Sequence, residues 1–387
     1  MKAFLTNKYH NVLVYDFLYR IGFCIHNVLN NFYSKKYLKV DPIKNYQDFV
    51  DVVEEIKKKR FVLGKRFLGC ECLYYGHYDM LVEYSHYKPK YRTIGMGIVH
   101  GVDFSEAPLS LGRMYNTFMF FSQGNKSKVK NTERFSLQLD IGPFIHYANK
   151  IYSEDEEKVL KKKYGRTVLI YPTHTYEKSE IDGRELDRYR EMIRHYSEVF
   201  DTILFCVYWH DVLDDTFQEI SSIPKVKLVS CGLRSDKKFL SRTKTLISLA
   251  DLIVGTHVGT YLGYAMYMKK EIEYYELEES IQEYGVMTDD EVLTEIKNKD
   301  LIKKVLLEKS DTTDIYNDFW GGETKLCTKE EIAAAFELRD EVISSSMGFV
   351  IRFNRIIQTL KEKYKNSTDP RSQFKYKYLE EINGKLF

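Results

Sequence analysis

The chain carries almost no excess charge. Its 58 Lys and Arg stand against 56 Asp and Glu, a formal +2. A protein that holds nucleic acid by electrostatics shows a larger imbalance, so that class of partner is set aside. Long apolar runs are also missing. No segment approaches the ~20 residues that a membrane-spanning helix needs. Lys8, His10, Asp16 and Arg20 interrupt the N-terminal apolar stretch and no small-residue cleavage site follows, so no secretory signal is expected. Cysteine is sparse: six residues, with Cys70 and Cys72 the one close pair and no C-x-x-C. That spacing suits neither a zinc site nor a disulfide framework, and the plain reading is free thiols in a reducing cytosol. Proline is scarce, 7 residues against 31 Tyr and 23 Phe. This balance fits an AT-rich genome and carries no functional weight.

Several motifs of chemistry are absent as well. There is no G-x-x-x-x-G-K-[ST], no G-x-S-x-G and no H-E-x-x-H. No two aspartates stand two apart, which removes the D-x-D metal–diphosphate clamp. Gly95-x-Gly97 is not a dinucleotide fingerprint, because its third glycine falls one place late. Phosphate chemistry in this chain would rest on helix dipoles and basic side chains, with no cofactor and no metal.

What is present has a clear rhythm. The 387 residues suggest two or three domains. Residues 1–60 read as helical, with an aromatic stretch over 11–33 and an amphipathic segment from Tyr46 to Lys59. That aromatic stretch reads as a core helix with a solvated end; the alternative is a peripheral contact with a membrane. Short apolar runs broken by glycines occupy 61–150. From Ser153, which forms a capping box with Glu156, the pattern alternates. Strands are expected at Thr167–Tyr171, Thr202–Trp209, Lys225–Ser230, Leu252–Gly255 and Ile272–Tyr275, with helices between them. The near-continuous apolar runs mark strands covered on both faces, hence a doubly wound parallel α/β sheet. The tail beyond Thr288 reads as helical. The expected domains are 1–150, 151–285 and a helical tail over 286–387.

In an open parallel sheet, ligands bind outside the carboxyl ends of the strands. The informative residues are therefore Thr173, His174 and Thr175 after the first strand of this series, Gly232 after the third, and Thr256, His257, Gly259 and Thr260 after the fourth. A glycine-flanked loop that runs into a helix is a phosphate cradle by its free N–H groups. The alternative is an ordinary turn with Thr260 as helix cap. Upstream, His100 ends an apolar strand between small residues, with Asp103 three positions on. A strand-end histidine titrates near neutrality and suits a general base, oriented by the aspartate or replaced by it. The alternative is a capped turn with a surface histidine.

The stretch FLSRTKTLISLADLIVGTHVGTYLGYAMYMKKEIEY from Phe239 to Tyr274 resembles the donor half of GT-B-fold glycosyltransferases, those encoded with bacterial capsule and lipopolysaccharide genes. YPTHT at Tyr171–Thr175 and IGPFIHYA at Ile141–Ala148 are similar to the same group, and the likeness covers most of residues 90–280. The resemblance implies two Rossmann-like domains facing a cleft, with the tail packing back across them. It implies an enzyme, free in the cytoplasm or peripheral at the inner face of the membrane, that moves a sugar from a nucleotide-sugar donor to a glycan or lipid-linked acceptor. Thr256, His257, Gly259 and Thr260 would lie at the donor phosphates with Thr173 and His174 facing them, and Gly232 near the nucleoside. Arg242, inside the matching stretch, is assigned to the donor side. His100 would be the catalytic base, and one base opposite the phosphate would invert the anomeric carbon. Two other classes stay open: an epimerase or polyol-phosphate transferase on the same fold, and a non-catalytic nucleotide-sugar or glycan binder.

Overall fold

The computed structural model describes residues 39–58, 71–91, 96–99, 101–106, 119–124, 137–173, 183–213, 215–234, 236–277, 288–346 and 353–383. Two parallel sheets organise them. The first runs β1 (Met96–Ile98), β2 (Met119–Ser122), β3 (Leu137–Asp140) in that order. Met119 stands beside Met96 on one side and Leu137 on the other. The second sheet holds β4 (Thr167–Tyr171), β5 (Thr202–Cys206), β6 (Val226–Val229), β7 (Leu252–Gly255) and β8 (Glu271–Tyr274), ordered β6-β5-β4-β7-β8. The chain starts in the middle, winds to one edge, then crosses to the other side of β4. This is the doubly wound order of Rossmann-like α/β folds.

Helix α1 (Tyr46–Lys58) precedes both sheets, and α2 (His77–Ser85) follows a 3-10 turn over Glu71–Gly76. Within the second half come α3 (Glu154–Tyr164), α4 (Gly183–Ser197), α5 (Asp215–Ser221), α6 (Phe239–Leu249) and α7 (Thr260–Tyr267). Both faces of the second sheet are covered, which explains its unbroken apolar strands. Val168 and Ile170 of β4 join one core with α1, α4 and α5, while Leu169 and Tyr171 join the other with α6 and α7. Helix α3 starts as the sequence predicts, with the Ser153 and Glu156 capping bonds both made. Its acidic first turn and basic last turn also suit the helix dipole.

One assignment changes. Phe49, Val50, Val52 and Val53 of α1 pack in the core of the second sheet, not the first. The Lys44–Glu156 ion pair at 3.3 Å and the Tyr152 hydroxyl donating to Asp41 at 2.7 Å hold the segment there. A one-sided apolar stripe states that a helix is buried, and leaves open against what. Ile43 of the same segment joins the other core, with Tyr78 and Leu81 of α2.

The tail forms α8 (Asp289–Leu307), α9 (Thr313–Trp320), α10 (Lys329–Ser346), α11 (Phe353–Tyr364) and α12 (Pro370–Asn383). Helix α10 returns to the first sheet: the Phe336 ring lies 5.8 Å from Phe121 of β2 and 6.3 Å from Tyr78 of α2. Helix α9 ends in the fully buried Trp320, whose indole N–H donates to the Thr260 carbonyl of α7 at 3.1 Å. The tail therefore touches both sheets. Among the described residues no helix is long and apolar enough to cross a membrane.

Candidate functional site

The carboxyl ends of β4 to β7 and the segment after β1 open on one cleft of about 330 Å³. A larger hollow of about 680 Å³ lies along the β8 edge, but no strand ends converge on it. Physical grounds favour the smaller one, because strand order reverses there. β4 is the first strand of its sheet, with β5 on one side and β7 on the other. Helices α4 and α7, which follow β4 and β7, pack on opposite faces of the sheet and leave a crevice between the two strand ends.

Thr173 and Thr256 meet at that point, with hydroxyls 3.2 Å apart. Thr173 lines the cleft, and its backbone N–H donates to the Tyr189 hydroxyl of α4 at 2.9 Å. Thr256 is 1% exposed, and its hydroxyl donates to the Tyr171 carbonyl at 3.2 Å. It ties the ends of β4 and β7 together rather than lining the space. His257 and Gly259 line the cleft beside it. Gly255 serves packing: the Tyr261 ring occupies the space its Cβ would need, and the Tyr261 hydroxyl donates to the His257 carbonyl.

Helix α7 starts from Gly259 with no side-chain cap. Thr260 is the first helical residue, so it is not the N-cap. Its hydroxyl instead accepts the Val102 N–H at 3.1 Å, from the segment after β1. This bond docks the first half of the chain onto the start of α7. The uncapped first turn carries the positive end of the helix dipole and faces the cleft. Lys299 of α8 also lines the cleft and pairs with Glu295 at 2.7 Å.

Gly232 lines the cleft in a left-handed conformation, φ +97°, where a side chain would meet the Arg242 guanidinium. Arg242 does not line the cleft. It is 2% exposed and donates to Asp236 at 2.6 Å, to the Cys231 carbonyl at 3.2 Å and to the Val40 carbonyl at 3.4 Å. Its charge is spent inside the protein, holding the turn that presents Gly232. The donor-side position expected for Arg242 is corrected accordingly: a guanidinium committed to a buried carboxylate has little left for a ligand.

Asp103 turns back on its own loop, its carboxylate accepting the Ser105 N–H at 3.0 Å and the Ser105 hydroxyl at 2.5 Å. It stays off the cleft wall, which Gly101 and Val102 form. His100, His174 and Thr175 lie outside the described residues.

Four groups of the cleft went unread in the sequence. Tyr75 and His77 come from the turn before α2 and from its first residue; Phe239 and Thr243 come from α6; Glu295 and Lys299 come from α8. Cys206 and Cys231 end β5 and follow β6, with sulfurs 3.8 Å apart. The rule that strand ends carry ligands would have found these two thiols. The contact between the two thiols pushes Cys206 up and pulls Cys231 down; the Thr243 hydroxyl and the Arg242 guanidinium add to the second effect against burial. No protein-family model and no curated protein matches the chain.

Proposed function

We propose that the protein is a GT-B-type glycosyltransferase that moves a sugar from a nucleotide-sugar donor to a glycan or lipid-linked acceptor of a bacterial surface polysaccharide, on the cytoplasmic side. One observation carries this reading: the carboxyl ends of β4 to β7 and the segment after β1 of the other sheet share one cleft, and that segment is bonded through Val102 to the start of α7. A donor bound across the β4–β7 crevice sets its diphosphate against the first turn of α7. Charge that develops on the leaving phosphate is then met by fixed N–H dipoles, without a metal. The acceptor enters from the side of the first sheet. His100, which precedes the cleft-lining Gly101 in sequence, takes the acceptor proton as the base, with Asp103 stiffening its loop. A base opposite the leaving phosphate gives an inverted anomeric carbon.

The test is a thermal-shift screen with UDP, CMP, GDP and CDP and their common sugars. A ligand at about 100 times its Kd stabilises the fold by roughly 2.7 kcal/mol, a rise of a few degrees at most in a chain this long. A selective rise with one nucleotide supports the reading. Folded protein that responds to none of them refutes it.

A further inference from the structure

Tyr171 brings a buried hydroxyl to the wall of the cleft. Tyr171 is the last residue of β4, 9% exposed, and lines the cleft. Its hydroxyl oxygen is buried with no hydrogen-bond partner among the described residues. Buried phenols almost always find a partner, and leaving one unpaired destabilises the fold. Phenylalanine would fill the same space without that penalty. The ring is also fixed. It stacks on Tyr261 at 4.3 Å with a 22° interplanar angle, while the Tyr171 carbonyl accepts from Thr256. The hydroxyl is thus held in place beside the Cys206 and Cys231 thiols, whose proximity and the surrounding burial push the phenol well up. At neutral pH it is a donor.

We propose that Tyr171 recognises an uncharged polar group at the buried end of the ligand, in a deep subsite between the ends of β5 and β6. The assignment rests on the nucleotide-sugar reading above. The surroundings decide the chemistry. Thiols, the Thr243 hydroxyl and the Tyr75 and Phe239 rings, 4.7 Å apart, frame this end. Arg242, whose guanidinium reaches Gly232 at this end, is paired with Asp236. A carboxylate or phosphate drawn in here would lose its water beside a guanidinium that is already neutralised. The ligand's charged part belongs against the first turn of α7. A nucleobase, a ribose or a neutral sugar fits the deep end; a uronic acid or a second phosphate does not.

The experiment compares wild type with Tyr171→Phe in two measurements. First, melting without ligand: the variant is expected to melt no lower than wild type, since it loses a hydroxyl that has no partner among the described residues. A clear fall in melting temperature would reveal a structural partner and overturn the proposal. Second, calorimetric titration with UDP, CDP and GDP, and with the corresponding glucose or mannose conjugates. The variant is expected to bind at least tenfold more weakly, because a site shaped around a hydrogen bond loses more than the bond itself. A loss with the bare diphosphate places the nucleoside in the deep subsite; a loss confined to the conjugate places the sugar there. Equal affinity in both proteins overturns the role of Tyr171 and leaves the nucleotide reading intact. Wild type that binds none of these ligands overturns both.

Discussion

Replacing Arg242 by Met distinguishes a ligand-binding arginine from a structural one. The side chain is almost entirely enclosed, with 3% exposure against 9% for its partner Asp236. Removing one member of a buried ion pair leaves the other charged and unsolvated, at a cost of about 3–5 kcal/mol. The carbonyls of Cys231 and Val40 lose a donor as well. At roughly 2.1 cal/mol/K per residue, a chain of this length unfolding as one unit has an entropy change near 0.8 kcal/mol/K. The melting temperature of the variant should therefore fall by about 4–6 °C, read by differential scanning calorimetry. The pair Arg242→Met with Asp236→Leu removes both charges and should recover much of that loss, so that the two substitutions are far from additive. A single variant that melts with wild type yet loses nucleotide binding would refute this reasoning and return Arg242 to the ligand.

Three further outcomes rest on single contacts of the fold. Thr260→Val deletes the acceptor of the Val102 N–H and should cost about 1 kcal/mol in equilibrium unfolding; an unchanged midpoint would mean that the segment after β1 is not anchored there. His146 accepts or donates to the Tyr267 hydroxyl at 2.7 Å, and burial followed by the nearby Lys244 holds its pKa below 6.5. The unfolded chain then binds that proton more readily than the fold does, so stability is fully present above pH 6.5 and falls as pH drops below it. His146→Phe should flatten the melting profile between pH 5 and 7, and parallel profiles would sink the assignment. Among Cys206, Cys231 and Cys327, limited iodoacetamide should reach Cys231 first, since burial pushes Cys327 up to about 12. Peptide mapping that finds Cys327 alkylated ahead of Cys231 would contradict the shared proton of the thiol pair.

The alternation from Ser153 to Tyr274 is legible in the residues because each strand is buried on both faces and each helix on one. Observed strand limits fall within about three residues of those expected, as for Thr167–Tyr171 and Leu252–Gly255. The positions of Thr173, Gly232, His257 and Gly259 at strand ends are legible for the same reason, once the strands are known. Roles within the loops are not. Thr256, Thr260 and Arg242 carry groups that suit a phosphate, and in the fold each is engaged with a partner far away in sequence: Tyr171, Val102 and Val40.

By itself the sequence determined the kind of element each segment forms and which end of each strand is chemically rich. Local periodicity encodes burial, and burial is set by the residue's own apolarity. Tertiary packing alone sets the strand order β6-β5-β4-β7-β8 of the second sheet, its cover by α1, the arrival of Glu295 and Lys299 of α8 at the cleft, and a Tyr171 hydroxyl with no partner among the described residues. Those facts depend on which surfaces meet when distant segments close on one another. A pattern that repeats every two or three to four residues holds no record of that choice, because many partners would bury the same stripe equally well.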